Sequence, residues 1–102
     1  MTRGEVWLAE VGRKRRPVLV LTRTGVIDVR ALVTVAEITT SIRGIGAEVM
    51  LDHRQIGLER ESAVNCDGLH TVTRASLTGR VGQLDAATLQ RVCSALNYAL
   101  GC

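Results

Sequence analysis

The chain has 102 residues, a formal net charge of +3 and 46% hydrophobic residues. This length predicts a single domain over residues 1–102, and the balance of apolar and charged residues excludes a disordered or collagen-like chain. The longest unbroken apolar run, from Pro17 to Leu21, is far shorter than the roughly 20 residues of a membrane helix. Because Glu5 and Glu10 interrupt the N-terminal segment, we expect no export signal, no membrane association and a cytoplasmic location.

Arginine supplies nearly all of the basic side chains, since Lys14 is the only lysine. Guanidinium groups match phosphate geometry better than ammonium groups do, although a GC-rich coding sequence would enrich arginine for no functional reason. The charge alone therefore leaves a nucleic-acid partner open. The two aromatic residues, Trp7 and Tyr98, are too few for the aromatic platforms on which many RNA-binding folds stack bases.

The three cysteines are widely spaced and form no CxxC pair. This spacing argues against a zinc site or a disulfide framework, and we expect neither a metal nor a cofactor. Cys93 falls on the apolar face of a predicted helix and should be a small core residue, whereas Cys102 ends the sequence and should be exposed.

The first two thirds of the chain read as short strands separated by glycines. Pro17 should begin its strand because proline cannot donate to a sheet ladder, which leaves residues 13–16 as a basic turn. The continuous apolar run after Pro17 predicts a strand covered on both faces. The predicted strands cover residues 4–10, 17–22, 31–38, 47–51 and 62–72.

The end of the chain predicts a helix. Asp85 is a good N-cap, Gly101 is a good C-terminal stop, and apolar residues between them recur at helical spacing. That apolar stripe consists of Leu89, Val92, Cys93, Leu96 and Leu100. Residues 74–77 are expected to form a short helical turn. Together these elements predict a mainly β fold with a C-terminal helix packed on a small barrel or half-barrel.

Polar residues stand at the ends of two apolar strands. Arg16 precedes one strand, and Thr39 and Thr40 follow another. If the two strands are antiparallel neighbours, Arg16 meets Thr39 around a phosphate-sized space. Alternation places Glu37 on the same side as Thr39, where it is either a proton acceptor or an ion-pair partner of Arg16 or Arg43.

Five sequence blocks, in this order and spacing, resemble a known family. They are RGEVWLAEV (3–11), RRPVLVLT (15–22), VTVAEITTSIRG (33–44), SAVNCDGLHTV (62–72) and LTGRVGQLDAATLQRV (77–92). Over essentially its whole length the chain is similar to the MazF/PemK toxins of bacterial type II toxin–antitoxin systems.

The resemblance implies a homodimer of a small SH3-like, MazF/CcdB-type β-barrel. It also implies a metal-independent, sequence-specific endoribonuclease that cleaves single-stranded RNA through attack by the 2′-OH, giving a 2′,3′-cyclic phosphate and a 5′-OH. A cognate antitoxin would neutralise it by placing a C-terminal segment in the RNA groove. The family's catalytic arginine and threonine fall on Arg16 and Thr39, and a family aspartate falls on Asp67.

Further residues are candidates for RNA binding. The cationic candidates flank the predicted site in loops, and their contribution would fall with salt. Asn65 could read a base edge, and His70 could contact RNA or, like His53, act as an acid or base near neutral pH. The RNA-binding candidates are Arg13, Lys14, Arg15, Thr40, Arg43, Asn65, Asp67 and His70.

Two departures from the family pattern are visible. The segment 11–15 lacks the Ser-Glu-Gln stretch of many members, and Gly68 follows Asp67 where many have glutamine. Substrate choice should therefore differ. The alternatives are a catalytically silent toxin, which the presence of both Arg16 and Thr39 argues against, and a gyrase poison, which would require a C-terminal tryptophan that residues 99–102 lack.

Overall fold

The computed structural model describes residues 1–11 and 13–102. Within them, six antiparallel strands form one sheet in the spatial order β4-β5-β3-β2-β1-β6. The strands are β1 (Glu5–Val11), β2 (Lys14–Val20), β3 (Leu32–Thr39), β4 (Glu48–Met50), β5 (Ala63–Thr73) and β6 (Leu77–Gln83). The helices are α1 (Thr24–Ile27), α2 (His53–Ile56) and α3 (Ala86–Leu100), with a 3₁₀ turn at Arg74–Ser76.

The predicted mainly β fold with a C-terminal helix is confirmed. In the described part of the chain, β4 and β6 are the two sheet edges and do not pair with each other, so the barrel is not closed. Asp85 caps α3 by accepting the Thr88 backbone N–H at 2.7 Å, and Gly101 ends the helix with a left-handed φ of 71°. Both predicted helix boundaries therefore hold. None of the helices described is long and apolar enough to cross a bilayer.

The N-terminal limit of β2 differs from the prediction. The strand begins at Lys14, so Pro17 lies inside it. Of the predicted turn over residues 13–16, only Arg13 is a turn residue, and Lys14 to Arg16 belong to the strand. Pro17 pairs with Leu8 of β1, but the ladder from β2 to β3 begins only at Val18. The proline therefore lies where β2 is paired on one side, and its missing N–H removes no bond to β3.

The strand β6 was not among the strands predicted from the sequence. Its sequence, LTGRVGQ, has two glycines, and glycine is depleted in strands. Gly82 is required by close packing, because a Cβ there would lie 2.9 Å from the backbone carbonyl carbon of Ile56 in α2.

The sheet is buried on both faces by two apolar clusters. One cluster, under α3, includes Leu19, Ala36 and Val92. The other lies on the opposite face and includes Val18, Val20, Val35 and Ile27 of α1. This alternation confirms that the apolar run of β2 supplies both faces.

The predicted stripe of α3 is only partly buried. Val92 and Ala95 are buried, whereas Leu100, the last residue of the helix, is 60% exposed. Cys93 is half-buried rather than fully in the core, with the Arg3 guanidinium 3.4 Å from its sulfur. Cys102 is exposed, as expected.

Glu5 at the start of β1 is a buried carboxylate held by several donors. It accepts hydrogen bonds from the Thr2 backbone N–H and the Arg80 Nε, each at 2.5 Å, and from the Trp7 Nε1 at 3.4 Å. Burial alone would raise the pKa of Glu5, but the bonds from Arg80, Thr2 and Trp7 outweigh it and lower the pKa below the ordinary value of 4.5. The ionised form therefore stabilises the fold.

Replacing Glu5 by Gln should lower the free energy of unfolding by about 1–3 kcal/mol at pH 7, because charge-assisted hydrogen bonds are lost. The contribution of Glu5 is fully present above about pH 4.5 and is lost as the pH falls through its lowered folded pKa. Urea unfolding from pH 7 to pH 3 should therefore show the two proteins converging at acid pH. Glu10→Gln is the control, since Glu10 is exposed and 3.9 Å from Arg15; a constant difference between wild type and Glu5→Gln at all pH values would contradict the assignment.

Candidate nucleic-acid interface

A cavity of about 1050 Å³ opens on the sheet face opposite α3, where β2 begins and β3 ends. This volume lies near the upper end of the roughly 300–1,000 Å³ range of small-ligand pockets. Its floor includes the apolar side chains of Val18 and Val35, and its rim is polar. The rim gathers six of the predicted site residues, Arg13, Lys14, Arg16, Thr39, Thr40 and His70.

The pairing of β2 with β3 brings Arg16 and Thr39 to this cavity. The two strands are antiparallel, with Val18 opposite Glu37 and Leu19 opposite Ala36. Continuing the same register by two residues places Arg16 opposite Thr39, and both side chains line the cavity. Residues directly opposite each other in an antiparallel pair have Cβ atoms about 5 Å apart. The predicted antiparallel pairing of the two strands is confirmed, and the apposition of Arg16 and Thr39 follows from extending their register.

The Thr39 hydroxyl is oriented by its own backbone. Its Oγ1 accepts the backbone N–H of Ser41 at 3.0 Å, which leaves the hydroxyl proton available to donate. Arg16 is exposed, and no described carboxylate lies within ion-pair distance of its guanidinium. A guanidinium and a hydroxyl that both can donate into one open space are suited to the oxygens of a phosphate group.

Alternation along β2 divides its basic residues between the two faces. Lys14 and Arg16 lie on the cavity side, whereas Arg15 does not line the cavity and has its Nε 3.9 Å from Glu10. The structure therefore places Arg15 away from the predicted site, because successive side chains of a strand point to opposite faces.

Arg43 is held away from the cavity by Glu48. Its Nε lies 3.3 Å from the Glu48 carboxylate, whose other oxygen accepts the backbone N–H groups of Arg43 and Gly44 at 2.8 and 2.9 Å. Burial would raise the pKa of Glu48, but these bonds lower it. Arg43 is thus the partner of Glu48, and of the alternatives left open for Glu37 the pairing with Arg43 does not hold.

A bulge in β5 displaces two other predicted site residues. Ala36 of β3 pairs with Leu69, but the next residue, Glu37, pairs with Asn65, so residues 66–68 are extra. The Asn65 side chain accepts the backbone N–H of Asp67 at 3.1 Å and thereby closes the bulge. Neither Asn65 nor Asp67 lines the cavity.

Glu37 points into the cavity and contacts His70 rather than the predicted Arg16. The Glu37 Oε1 lies 2.9 Å from the His70 Nε2, with the two side chains 48% and 52% exposed. His53, the other histidine, begins α2 and does not line the cavity.

Three polar lining residues were not predicted. Ser41 directly follows Thr39 and Thr40, so the polar run could have signalled it. Ser62 and Thr71 reach the cavity only because β5 pairs with β3, and no local sequence signal marks them. Among residues 1–11 and 13–102, no group of three or more His, Cys, Asp or Glu side chains is arranged to hold a metal ion.

Comparison with known proteins agrees with the architecture and with the sequence blocks. The chain is 42% identical over 98% of its length to the probable endoribonuclease MazF5 of Mycobacterium tuberculosis, covering 93% of that protein. It is 36% identical to the probable endoribonuclease MazF2 of the same species, with both chains covered fully.

Two solved structures share the fold over nearly the whole chain. The Mycobacterium tuberculosis toxin MazF-mt6 superposes with a TM-score of 0.89 at 36% identity, covering 95% of this chain and 96% of that one. An endoribonuclease in complex with its cognate antitoxin, from a mycobacterial species, gives a TM-score of 0.90 at 26% identity, covering 99% and 95%.

The family model described as PemK-like, MazF-like toxin of type II toxin–antitoxin system matches residues 2–100. This match spans every strand and helix described above and leaves out only Met1 and residues 101–102. The chain therefore belongs to the PemK/MazF family of toxins.

Proposed function

We propose that this toxin is a sequence-specific endoribonuclease that cleaves single-stranded RNA through attack by the 2′-OH. The observation that carries the proposal is that Arg16 and Thr39 line the same open cavity, at the ends of the antiparallel strands β2 and β3. The endoribonuclease names of the relatives support the same activity.

In the proposed reaction, one phosphodiester group lies between Arg16 and Thr39. The Arg16 guanidinium donates charge-assisted hydrogen bonds to the nonbridging oxygens, and the Thr39 hydroxyl donates another. Negative charge grows on these oxygens as the 2′-oxygen bonds to phosphorus, so donors fixed beforehand stabilise the transition state. Departure of the 5′-oxygen leaves a 2′,3′-cyclic phosphate and a 5′-OH, and the protein groups named supply the stabilisation without a metal.

Binding of the strand on either side of this phosphate is assigned to the rest of the rim. Arg13 and Lys14 provide positive charge, while Thr40 and His70 can bond sugars or bases. RNA that extends along β5 would next meet the bulge at residues 66–68, which contains Asp67 and is flanked by Asn65. Such contacts to base edges are the source of sequence specificity, whereas phosphate contacts set register.

We propose that a cognate antitoxin competes with RNA for this surface by laying its C-terminal segment in the groove, in the cytoplasm. The relative solved with its cognate antitoxin supports such a partner. A carboxylate-rich segment would suit Arg13, Lys14 and Arg16 for the same reason that phosphates do.

We also propose that the chain forms a homodimer through β4 and the adjacent face of α3. The edge strand β4 is unpaired on one side, and unpaired edges tend to be covered by pairing. Met50 of β4 and Tyr98 of α3 are 41% and 72% exposed and line the same shallow cavity of about 450 Å³.

Replacing Arg16 or Thr39 by alanine should each reduce RNA cleavage by about 10²–10³-fold, because each removes one preorganised donor. Cleavage sites are first mapped by primer extension on a mixed pool of single-stranded RNA in EDTA, and rates are then measured on an oligoribonucleotide that contains a mapped site. Arg30→Ala, which removes the same charge from an exposed position outside the cavity, should cleave normally. Full activity of Thr39→Ala would remove that residue from the mechanism. If the wild-type protein cleaved no RNA in the pool, the catalytically silent alternative would be favoured.

The affinity for RNA should fall with salt because phosphate contacts release counterions. Lys14→Ala should weaken binding of a 2′-O-methyl RNA and reduce the slope of log K against log salt concentration by about 0.7, the value for one single-strand phosphate contact. Fluorescence anisotropy at several salt concentrations measures both quantities. An unchanged slope would show that Lys14 makes no phosphate contact.

Tyr98→Glu should raise the dissociation constant of the homodimer at least tenfold, since it places a charge on the proposed apolar contact. Sedimentation equilibrium gives this constant directly. The matched control is Val29→Glu, at a residue that is 81% exposed and outside both cavities. Equal association of wild type and Tyr98→Glu would contradict this interface.

A further inference from the structure

Proton transfer at the proposed site requires a group that titrates near neutral pH. Five ionisable side chains line the described cavity, namely Arg13, Lys14, Arg16, Glu37 and His70. The guanidinium and ammonium groups of the arginines and the lysine are hydrogen-bond donors and have no lone pair to accept a proton. Acceptance of the 2′-OH proton therefore falls to Glu37 or His70.

The contact between Glu37 and His70 decides which of them presents a free acceptor. The Glu37 Oε1 lies 2.9 Å from the His70 Nε2. Because an ionised carboxylate only accepts hydrogen bonds, the neutral imidazole carries its proton on Nε2 and keeps a lone pair on Nδ1. No described residue forms a hydrogen bond with Nδ1, so this atom is available to a substrate.

Strand pairing holds the two side chains on the cavity face. His70 of β5 pairs with Val35, and Glu37 lies two residues further along β3 on the same side as Val35. Such diagonal neighbours are within reach of long side chains. Glu37 is also two residues from Thr39, about 7 Å along the strand, which is close enough for one nucleotide to contact both ends.

Gly68 in the β5 bulge leaves room for this arrangement. A Cβ at this position would lie 3.0 Å from the Glu37 Cδ and 3.1 Å from the Asn65 Nδ2. Any larger residue would press on the carboxylate from the side opposite to the imidazole or force the bulge to shift. The glycine therefore belongs to the local packing that allows Glu37 to reach His70.

We infer that His70 is the general base of the cleavage reaction and that Glu37 is its positioning residue, an assignment that rests on the proposed function. The His70 Nδ1 takes the proton from the 2′-OH while the 2′-oxygen forms its bond to phosphorus. The bond between phosphorus and the 5′-oxygen breaks, its electron pair stays on that oxygen, and the oxygen takes a proton from water. The imidazolium then returns its proton to the hydroxide so formed.

Glu37 acts through His70 in two ways. It selects the tautomer with a free Nδ1, and its negative charge stabilises the imidazolium that forms during the reaction, as a carboxylate does for the histidine of a hydrolase triad. The other charged groups that line the described cavity are the cations Lys14 and Arg16 of β2 and Arg13 before it, and their charge opposes that of an imidazolium. Asp67, from the bulge of β5, is exposed and does not line the cavity.

The test is the pH dependence of cleavage of an oligoribonucleotide that has a single ribose at the mapped site. For the wild type, kcat/KM should rise about tenfold per pH unit below neutrality and then level off. His70→Gln should lower kcat by about 10²–10⁴-fold and abolish the rise. His53→Gln, which changes the other histidine outside the cavity, should keep the wild-type profile.

Glu37→Gln should retain a pH-dependent rise, but with its midpoint moved to lower pH, because the imidazolium loses its carboxylate partner. A purely structural role of His70 would instead lower thermal stability and activity together, without altering the shape of the profile. His70→Gln cleaving at the wild-type rate with an unchanged rise would overturn the inference. If Arg16→Ala were inactive in that case, the proposed endoribonuclease function would stand without the assignment of His70 as general base. A wild type that cuts no RNA would contradict both the proposed function and the assignment of His70.

Discussion

The antiparallel register between β2 and β3 is the constraint on which the site depends. Val18 opposite Glu37 is the last pair of this ladder, and extending its register by two residues brings Arg16 opposite Thr39 on the cavity side. Among the described residues, no carboxylate pairs with Arg16, and the bond from the Ser41 N–H leaves the Thr39 hydroxyl proton free to donate. A shift of one residue would turn one of the two side chains to the opposite face of the sheet and separate the guanidinium from the hydroxyl.

The core enforces this register from both sides. Leu19 and Ala36 are fully buried under α3, while Val18, Val20 and Val35 are buried on the other face. A slipped strand would expose these apolar side chains and bury their neighbours, at a cost of roughly 1.5–3 kcal/mol for each large side chain exposed. The polar cavity thus lies at one end of a sheet face whose remainder is apolar. Packing of the apolar residues fixes the strand register and thereby the positions of the polar residues.

Much of the fold could be predicted from local patterns. The apolar run after Pro17, the cap at Asp85 and the stop at Gly101 each carry a local physical signal, and each holds in the structure. The strand β6 carried no such signal, because its glycines serve close packing against α2, which only the tertiary structure shows. Pro17 lies in a strand, as predicted, but not at its start. A proline is tolerated inside β2 because β3 does not yet pair with the strand at that residue, and this is a property of the sheet rather than of the local sequence.

The positions of site residues could be predicted where they follow from the ends of neighbouring strands. They could not be predicted where they depend on which side chain forms an ion pair or hydrogen bond with which. Arg16 and Thr39 meet because two strands are adjacent, which the sequence analysis anticipated. Arg43 is bound by Glu48, and Asn65 flanks the bulge at residues 66–68. The strand pattern of the sequence signals neither the ion pair nor the bulge. The pairing of Glu37 with His70 belongs to the same class, since 33 residues separate them in the chain.

The most direct measurement of the central claim is a crystal structure of the toxin with an RNA oligonucleotide that carries 2′-deoxyribose at the cleavage position. The account predicts that the nonbridging oxygens of the phosphate next to that sugar lie about 2.7–3.1 Å from both the Arg16 guanidinium and the Thr39 Oγ1. An RNA strand whose uncleaved phosphate lies elsewhere, or whose contacts with Arg16 and Thr39 fall on different nucleotides, would contradict it.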